Sequence, residues 1–468
     1  MKRIRRICLL AALLLSVAVA RADGERKAYP GGECHLYRLT LKDKEGSPYS
    51  LSHPEEFLSE KSLLRRQRQG LAVDSTDLPI SPRYLELLAE AELRVVSRSR
   101  WTNTVVVALP KPDDMGLLRE LSFVTDVVRL FSSPDSVNLS SRNNLVATVE
   151  KWDTTGAGHY GHGLEQIKMI GGVKLHEAGF RGRGMTIAVI DGGFMNADCI
   201  AALRNVSVVG YRDFVYPPSP DFFAELDHGT EVLSTMAANL PDTLVGTAPE
   251  ARFLLLRSED GRSESLAEED FWCAAAEYAD SIGVDVVNTS LGYHHFDNYL
   301  GEHRYRDLDG KTAVCSRAAS LMAGKGMILV TSAGNEGLGT WKKINVPGDA
   351  DDVLTVGAVN SMRVNTGFSS VGPTADGRVK PDVMAKGFHA AVIAGNGRLT
   401  TANGTSFSSP ITCGLVACLW QALPKCTALD IINLVRQSGH QYETPDNVFG
   451  YGLPDFWKAY EMGRSTIK

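Results

Sequence analysis

From residue 164 onward the chain repeats one pattern: a short apolar run, a loop, then a helical stretch. The runs are Met185–Ile190, Arg252–Leu256, Val284–Asn288, Met327–Thr331 and Val353–Val356, with helical stretches such as Leu266–Ser281 and Ala313–Lys325 between them. A strand with one wet face alternates apolar and polar residues, so continuous apolar runs imply strands covered on both sides. Strands of that kind separated by helices build a doubly wound α/β fold, a mainly parallel sheet flanked by helices. Reactive groups in such sheets collect at the carboxyl ends of the strands. Asp191 and Asn335 each follow an apolar run and are placed by that rule at the working edge.

The stretch Asn403-Gly404-Thr405-Ser406-Phe407-Ser408-Ser409-Pro410 puts a serine where a turn meets a helix. Gly404 lets the backbone turn sharply, and Pro410 suits a first helical turn, where an N–H is dispensable. Ile411 to Trp420 is apolar nearly all round, which predicts a buried helix. Its N-terminus turns unpaired N–H groups toward whatever lies in front, a setting that favours an oxyanion. Upstream, Asp227-His228-Gly229-Thr230-Glu231-Val232 sets a histidine before a second helix start of small residues. The order Asp191, His228, Ser406 is one of the three chain orders in which an Asp-His-Ser relay is built.

These three segments, with Gly334-Asn335-Glu336-Gly337 between the last two, closely resemble the subtilisin-like serine proteases over about residues 160–460. The resemblance implies a serine endopeptidase working through an acyl-enzyme, with no cofactor. Ser406 is then the nucleophile and His228 the general base and acid. Asp191 orients the imidazole, and Asn335 donates to the oxyanion beside the Ser406 N–H. Ser290-Leu291-Gly292 and Ser332-Ala333-Gly334 are implied to bind the substrate backbone as an added strand and to flank the primary pocket. Val346-Pro347 matches a place where the family carries a cis proline. Two departures are visible. The first motif reads Asp191-Gly192-Gly193 where the family usually has Thr or Ser after the Asp. Glu231 stands where many members have a second histidine.

Residues 23–135 differ in character. Tyr37–Leu41 and Tyr49–Leu51 read as short strands, and Glu60–Gln69 as a charged, solvated helix. Ser81-Pro82 reads as a capped helix start continued by Leu85 and Leu88. Arg94 to Leu109 reads as a strand pair bent near Trp101-Thr102-Asn103, followed by a helix around Leu117–Leu121 and a strand over Val124–Leu130. Ahead of such a peptidase, a small α+β unit like this resembles a subtilase propeptide, which assists folding and blocks the cleft until removed. Residues 136–163 are rich in Ser, Asn and Gly, the composition of a linker in which maturation cleavage is expected. The peptidase domain is placed at 164–468.

The first 22 residues read as an export signal: Lys2, Arg3, Arg5 and Arg6, an apolar run Ile7–Ala20, and a small-residue site at Ala18-Val19-Ala20. The run is short for a membrane span, so the expected location is secreted, periplasmic or at the cell envelope, with no stable span after signal removal. A formal net charge of −6 and no basic stripe with interleaved aromatics argue against nucleic acid as a partner. Expected partners are polypeptide substrates and the chain's own propeptide. Of eight cysteines, Cys8 leaves with the signal, and the odd remainder cannot all pair within one chain. Cys413 and Cys418, five apart on one helix, point apart and are not expected to bridge.

His294, His295 and His303 lack metal spacing and read as a solvated insertion, Asp349, Asp351 and Asp352 as a polar loop, and Asn239–Leu244 as too short and ligand-poor for a calcium loop, so no metal site is assigned. Two other classes compete. A non-catalytic binding protein on the same scaffold would lack one of the four catalytic candidates, and all are present. An α/β-hydrolase esterase needs its serine first and a Gly-x-Ser-x-Gly elbow, whereas here the serine comes last and Ser408 replaces the second glycine.

Overall fold

The structure is a computed structural model that describes residues 26–27, 29, 33–112, 115–134, 137–138, 158–217, 219, 221–297 and 301–466. The proposed export signal lies outside these residues, as does most of the 136–163 linker.

Two sheets organise the chain. The N-terminal one is antiparallel, in the order β2-β3-β1-β4, from β1 (His35–Leu41), β2 (Arg94–Ser99), β3 (Thr104–Leu109) and β4 (Val124–Ser132). The larger one has seven parallel strands in the order β11-β10-β9-β8-β5-β7-β6. They are β5 (Thr186–Asp191), β6 (Ser207–Asp213), β7 (Arg252–Arg257), β8 (Val286–Thr289), β9 (Ile328–Ser332), β10 (Leu354–Val359) and β11 (Val383–Lys386). An outlying hairpin pairs β12 (Ala390–Ile393) with β13 (Leu399–Ala402).

The two-sided burial inferred from the apolar runs is visible in β5. Ile187 and Val189 point into one core with helices α3 (His228–Ala237) and α6 (Thr405–Ala422). Ala188 and Ile190 point into the other, with α4 (Ala267–Ile282) and α5 (Val314–Leu321). Helices α7 (Ala428–Ser438) and α8 (Phe456–Thr466) back the first face. The N-terminal sheet obeys the same alternation. Tyr37, Leu39, Val105 and Val107 cover its own helix α2 (Pro82–Glu90), while Leu36, Val106 and Leu130 join the core around α4.

Several local expectations need correction. Tyr49–Leu51 forms no strand. Ser81 precedes α2, but its hydroxyl makes no capping bond and is buried without a partner. Helix α1 (Glu60–Arg68) is not solvated on all sides, because Arg65 and Arg66 are buried against Asp280 of α4. His303 is likewise largely buried, its ring 2.5 Å from Glu269; burial pushes the Glu269 carboxyl up, but this partner, helped by Arg38, outweighs it and holds the carboxyl at about 2, below its ordinary range. Asp349 is a buried clamp that accepts from Gly310 N at 2.8 Å and from the Ser316 hydroxyl. Strand β6 went unread because its residues are mostly exposed at the sheet edge and lack an apolar run. The residues 158–163 of the linker stretch pack on the peptidase domain, with His162 N donating to Thr243 O at 2.8 Å. Val346-Pro347 is cis, as are Gly372-Pro373 and Lys380-Pro381. Cys413 and Cys418 do not bridge, and both are buried thiols.

Helix α6 runs through the first core, and its position depends on close approach at Gly414. A Cβ there would lie 2.0 Å from Thr247 Oγ1 and 3.1 Å from Thr247 backbone carbon. We therefore expect Gly414→Ala to cost about 1–3 kcal/mol or more by overpacking, read as a lowered midpoint in chemical denaturation. An unchanged midpoint would show that α6 is not seated this way.

Candidate active site

The carboxyl ends of β5, β8 and β9 meet the N-termini of α3 and α6. Asp191 closes β5 and is fully buried. Its Oδ1 accepts from His228 Nδ1 at 2.8 Å and from Gly192 N at 2.8 Å. Donation from Nδ1 to a carboxylate leaves the neutral ring's Nε2 as an acceptor, the form a general base requires. His228 is the first residue of α3, and the next residue must be glycine: a Cβ on Gly229 would meet Gly193 O at 2.4 Å and Asp191 Cβ at 3.0 Å. That contact holds the helix start against the strand end. The other carboxylate oxygen, Asp191 Oδ2, is buried with no hydrogen-bond partner among the described residues.

Burial pulls the His228 imidazole down, but Asp191 outweighs it, with smaller help from Glu259 and Glu231, and the ring is held up at about 9. The side chain is 39% exposed, so water moderates these effects. Glu231 lies one helical turn along α3. Burial, with Asp227 second, pushes its carboxyl up to about 7. Burial and Glu264 push Glu259 up to about 8.

Ser406 lies in the first turn of α6, which begins at Thr405. Pro410 therefore falls in the second turn, not the first as read from the sequence. A proline there cannot donate to the carbonyl four residues back, that of Ser406. The orphaned carbonyl is taken by the Ser290 hydroxyl at 2.8 Å, and the Ser406 hydroxyl in turn donates to Ser290 O at 3.1 Å. The two serines thus bond each other reciprocally. The Ser406 hydroxyl is turned toward Ser290 O in this conformation.

Asn335 follows β9. Its Oδ1 accepts from Thr405 N at 2.9 Å and from Thr405 Oγ1 at 3.0 Å. A backbone N–H can only donate, so the carbonyl oxygen must face Thr405 and the amide nitrogen must face away. That nitrogen lies beside Gly404, 3.6 Å from where a Cβ would stand. Thr405 was quoted in the sequence motif without a role, and here it positions Asn335. Its hydroxyl also accepts from Gly334 N at 3.2 Å.

The two segments expected to bind substrate, Ser290–Gly292 and Ser332–Gly334, lie side by side but differ in what they leave open. Ala333 N and O are engaged with Val356 O and Asn345 N, and Gly334 O accepts from Ser370 N at 3.0 Å. Ser332 Oγ donates to Leu291 O at 3.4 Å, tying the segments together. Among the described residues, neither Gly292 N nor Gly292 O makes a backbone hydrogen bond, so Ser290–Gly292 offers the freer edge. The described residues contain no group of three or more His, Cys, Asp or Glu arranged to hold a metal ion.

A parallel sheet with acid, histidine and serine gathered at its carboxyl edge defines the class of serine hydrolases built on doubly wound folds. Comparisons with known proteins narrow it. Residues 182–452 match the family model described as Subtilase family, and residues 36–146 match a Peptidase S8 propeptide domain of Bacteroidota. The chain belongs to the subtilase family of serine peptidases and carries an S8 propeptide domain. Subtilisin DY of Bacillus licheniformis is 29% identical over 274 residues, covering 57% of this chain and 88% of that protein. Subtilisin NAT of Bacillus subtilis subsp. natto is 30% identical over 268 residues, 57% of this chain and 62% of its own. The crystal structure of the epidermin leader peptide processing serine protease of Staphylococcus aureus superposes with a TM-score of 0.61 at 18% identity, over 92% of this chain and 98% of that one, a likeness of fold.

The serine pair yields a rescue experiment. Ser290→Ala leaves the Ser406 carbonyl without a donor and is expected to cost about 1–3 kcal/mol. Adding Pro410→Ala restores an N–H one turn on, and should recover much of that loss in a denaturation double-mutant cycle. Additive losses would mean the carbonyl does not depend on Ser290.

Proposed function

We propose that this chain is an exported serine endopeptidase, made as a zymogen, that hydrolyses peptide bonds through Asp191, His228 and Ser406. The single observation that carries the reading is the Asp191–His228 hydrogen bond at the end of β5, facing the N-terminus of α6 where Ser406 stands. In the reaction, the Ser406 hydroxyl exchanges Ser290 O for His228 Nε2 and attacks the scissile carbonyl as the imidazole takes its proton. Asp191 stabilises the imidazolium through Nδ1. The developing oxyanion is met by the Ser406 N–H, one of the unpaired donors of the first turn, and by the Asn335 amide nitrogen that Thr405 turns outward. His228 then protonates the leaving amine, and water releases the acyl group by the reverse sequence.

The substrate backbone lies along Ser290-Leu291-Gly292 and Ser332-Ala333-Gly334, with Gly292 offering a free N–H and carbonyl for strand addition. The propeptide domain supports the zymogen reading as an intramolecular inhibitor. Export rests on the basic head and apolar run of residues 1–22. Among the described residues no helix is long and apolar enough to cross a membrane.

A serine-reactive fluorophosphonate is expected to label the mature enzyme, and Ser406→Ala to lose both labelling and self-processing. Self-maturation and casein cleavage by that variant would end the reading. Asn335→Ala should lower kcat roughly 10²–10³-fold with little change in KM.

The acidic neighbours of His228 set the pH dependence. A base must be neutral to accept a proton, so activity rises as pH climbs through the imidazole's titration, which the carboxylates hold above its ordinary 6.5 and as high as about 9. Glu231 ionises near 7 and is charged where His228 titrates. Its removal disfavours the imidazolium. Glu231→Gln should therefore move the rising limb of kcat/KM toward lower pH by roughly half a unit. A limb that stays put or moves to higher pH would contradict this assignment.

A further inference from the structure

The two segments expected to bind substrate are both bonded to a third, Asn345-Val346. Asn345 N donates to Ala333 O at 3.1 Å. Val346 exchanges backbone bonds with Tyr293, the residue after Gly292: Val346 N donates at 3.1 Å and Tyr293 N returns a bond at 2.8 Å. These bonds set the Asn345 side chain between two glycines. A Cβ on Gly292 would lie 2.9 Å from Asn345 Cβ, and one on Gly334 would lie 3.1 Å from both Asn345 Cγ and Nδ2. Gly292 and Gly334 therefore face a slot between the segments, and the Asn345 carboxamide is its floor. The slot opens beside the reacting groups. Gly334 precedes Asn335, and Ser290, two residues before Gly292, bonds Ser406.

The slot is polar but uncharged. Val346 O would stand 3.1 Å from a Cβ on Gly292, and the Ser370 hydroxyl 2.9 Å from one on Gly334. None of the five residues Gly292, Gly334, Asn345, Val346 and Ser370 carries a charge. Asn345 is 6% exposed, and its Oδ1 is buried with no hydrogen-bond partner among the described residues. A buried acceptor without a donor is unfavourable until something brings it one. Here the open side of that acceptor's surroundings is the space between the two segments.

We infer that Asn345 selects the substrate side chain on the residue whose carbonyl is attacked, and that it takes a carboxamide, Asn or Gln. The inference rests on the peptidase reading. A carboxamide brings an N–H to Oδ1 and an oxygen to Nδ2, so it satisfies both ends of Asn345 at once, whereas a hydroxyl has one O–H to offer. An apolar side chain of the same size would bury the amide against carbon and leave both ends unpaired. A lysine or arginine side chain would enter a slot that holds no counter-charge.

The test uses the self-matured enzyme and three peptides that differ only at this position: Asn, its near-isostere Leu, and Lys. Fluorophosphonate labelling counts the active sites in each preparation. We expect kcat/KM to favour Asn over Leu by roughly 10-fold or more. In Asn345→Ala the two peptides should come within about 3-fold of each other, because the discriminating amide is gone. Asn345→Asp keeps the shape and adds a charge, and should move the preference to Lys. A role in folding alone would lower all three rates together and leave their ratios unchanged. Preference of the wild-type enzyme for Leu or Lys, or ratios that survive in both variants, would overturn the inference, while casein cleavage would leave the peptidase reading standing. Silence on casein and on every peptide would sink both.

Discussion

The active edge depends on one reciprocal contact, between Ser290 at the end of β8 and Ser406 at the start of α6. Pro410 creates the need for it by removing the helical donor to the Ser406 carbonyl. The unsatisfied carbonyl in a buried helix turn would otherwise cost about 1–3 kcal/mol. The Ser290 hydroxyl removes that penalty and fixes the height of Ser406 against the sheet. The same residue's carbonyl holds the Ser406 hydroxyl. A segment expected only to line the cleft is therefore also the support of the helix that carries the serine. Thr405 extends the arrangement one residue back, binding Asn335 and Gly334 at once. Two strand ends and one helix start are cross-linked through four short side chains.

The electrostatics of this edge are uneven. Asp191 bonds His228 through one oxygen, while the other is buried without a donor among the described residues. A full carboxylate charge with a single side-chain partner is concentrated on the imidazole, and Glu231 and Glu259 add to its negative surroundings. Of the two departures from the family pattern, Glu231 bears on the imidazole directly. Glu231 adds a carboxylate beside the imidazole, but Asp191 itself is the main cause that holds the ring above its ordinary range.

Much of this architecture is legible in the residues. The five apolar runs mark five of the seven strands to within a few residues, because strands buried on both faces have no other way to be built. Asp191, His228, Asn335 and Ser406 stand out because turns of small residues precede or follow them at strand and helix ends. What is not legible is whatever depends on a distant partner. The exposed edge strand β6 has no apolar signature. Arg65, Arg66 and His303 read as solvated because a charged side chain carries no mark of the carboxylate that will bury it. The displacement of Pro410 into the second turn was hidden for the same reason, since only the Ser290 hydroxyl, 120 positions upstream, makes it tolerable.

Helix α4 shows why the two domains meet where they do. One side joins Ala188 and Ile190 in the core of the peptidase sheet. The other presents Asp270, Glu277 and Asp280 to the N-terminal domain. Arg38 takes Asp270 through two nitrogens, and Arg65, Arg66 and Arg100 take Asp280. Glu277 accepts the Ser99 hydroxyl and the N–H groups of Arg100 and Trp101. Burying three carboxylates is unfavourable unless every oxygen finds a donor, and an apolar face would have bound more strongly with less precision. The charged solution restricts docking to the one orientation that pairs all three. Leu36, Val106 and Leu130 of the N-terminal sheet join the apolar core around the same helix, so the contact combines buried charge with apolar packing. A surface of this kind holds the N-terminal domain in register on the peptidase domain.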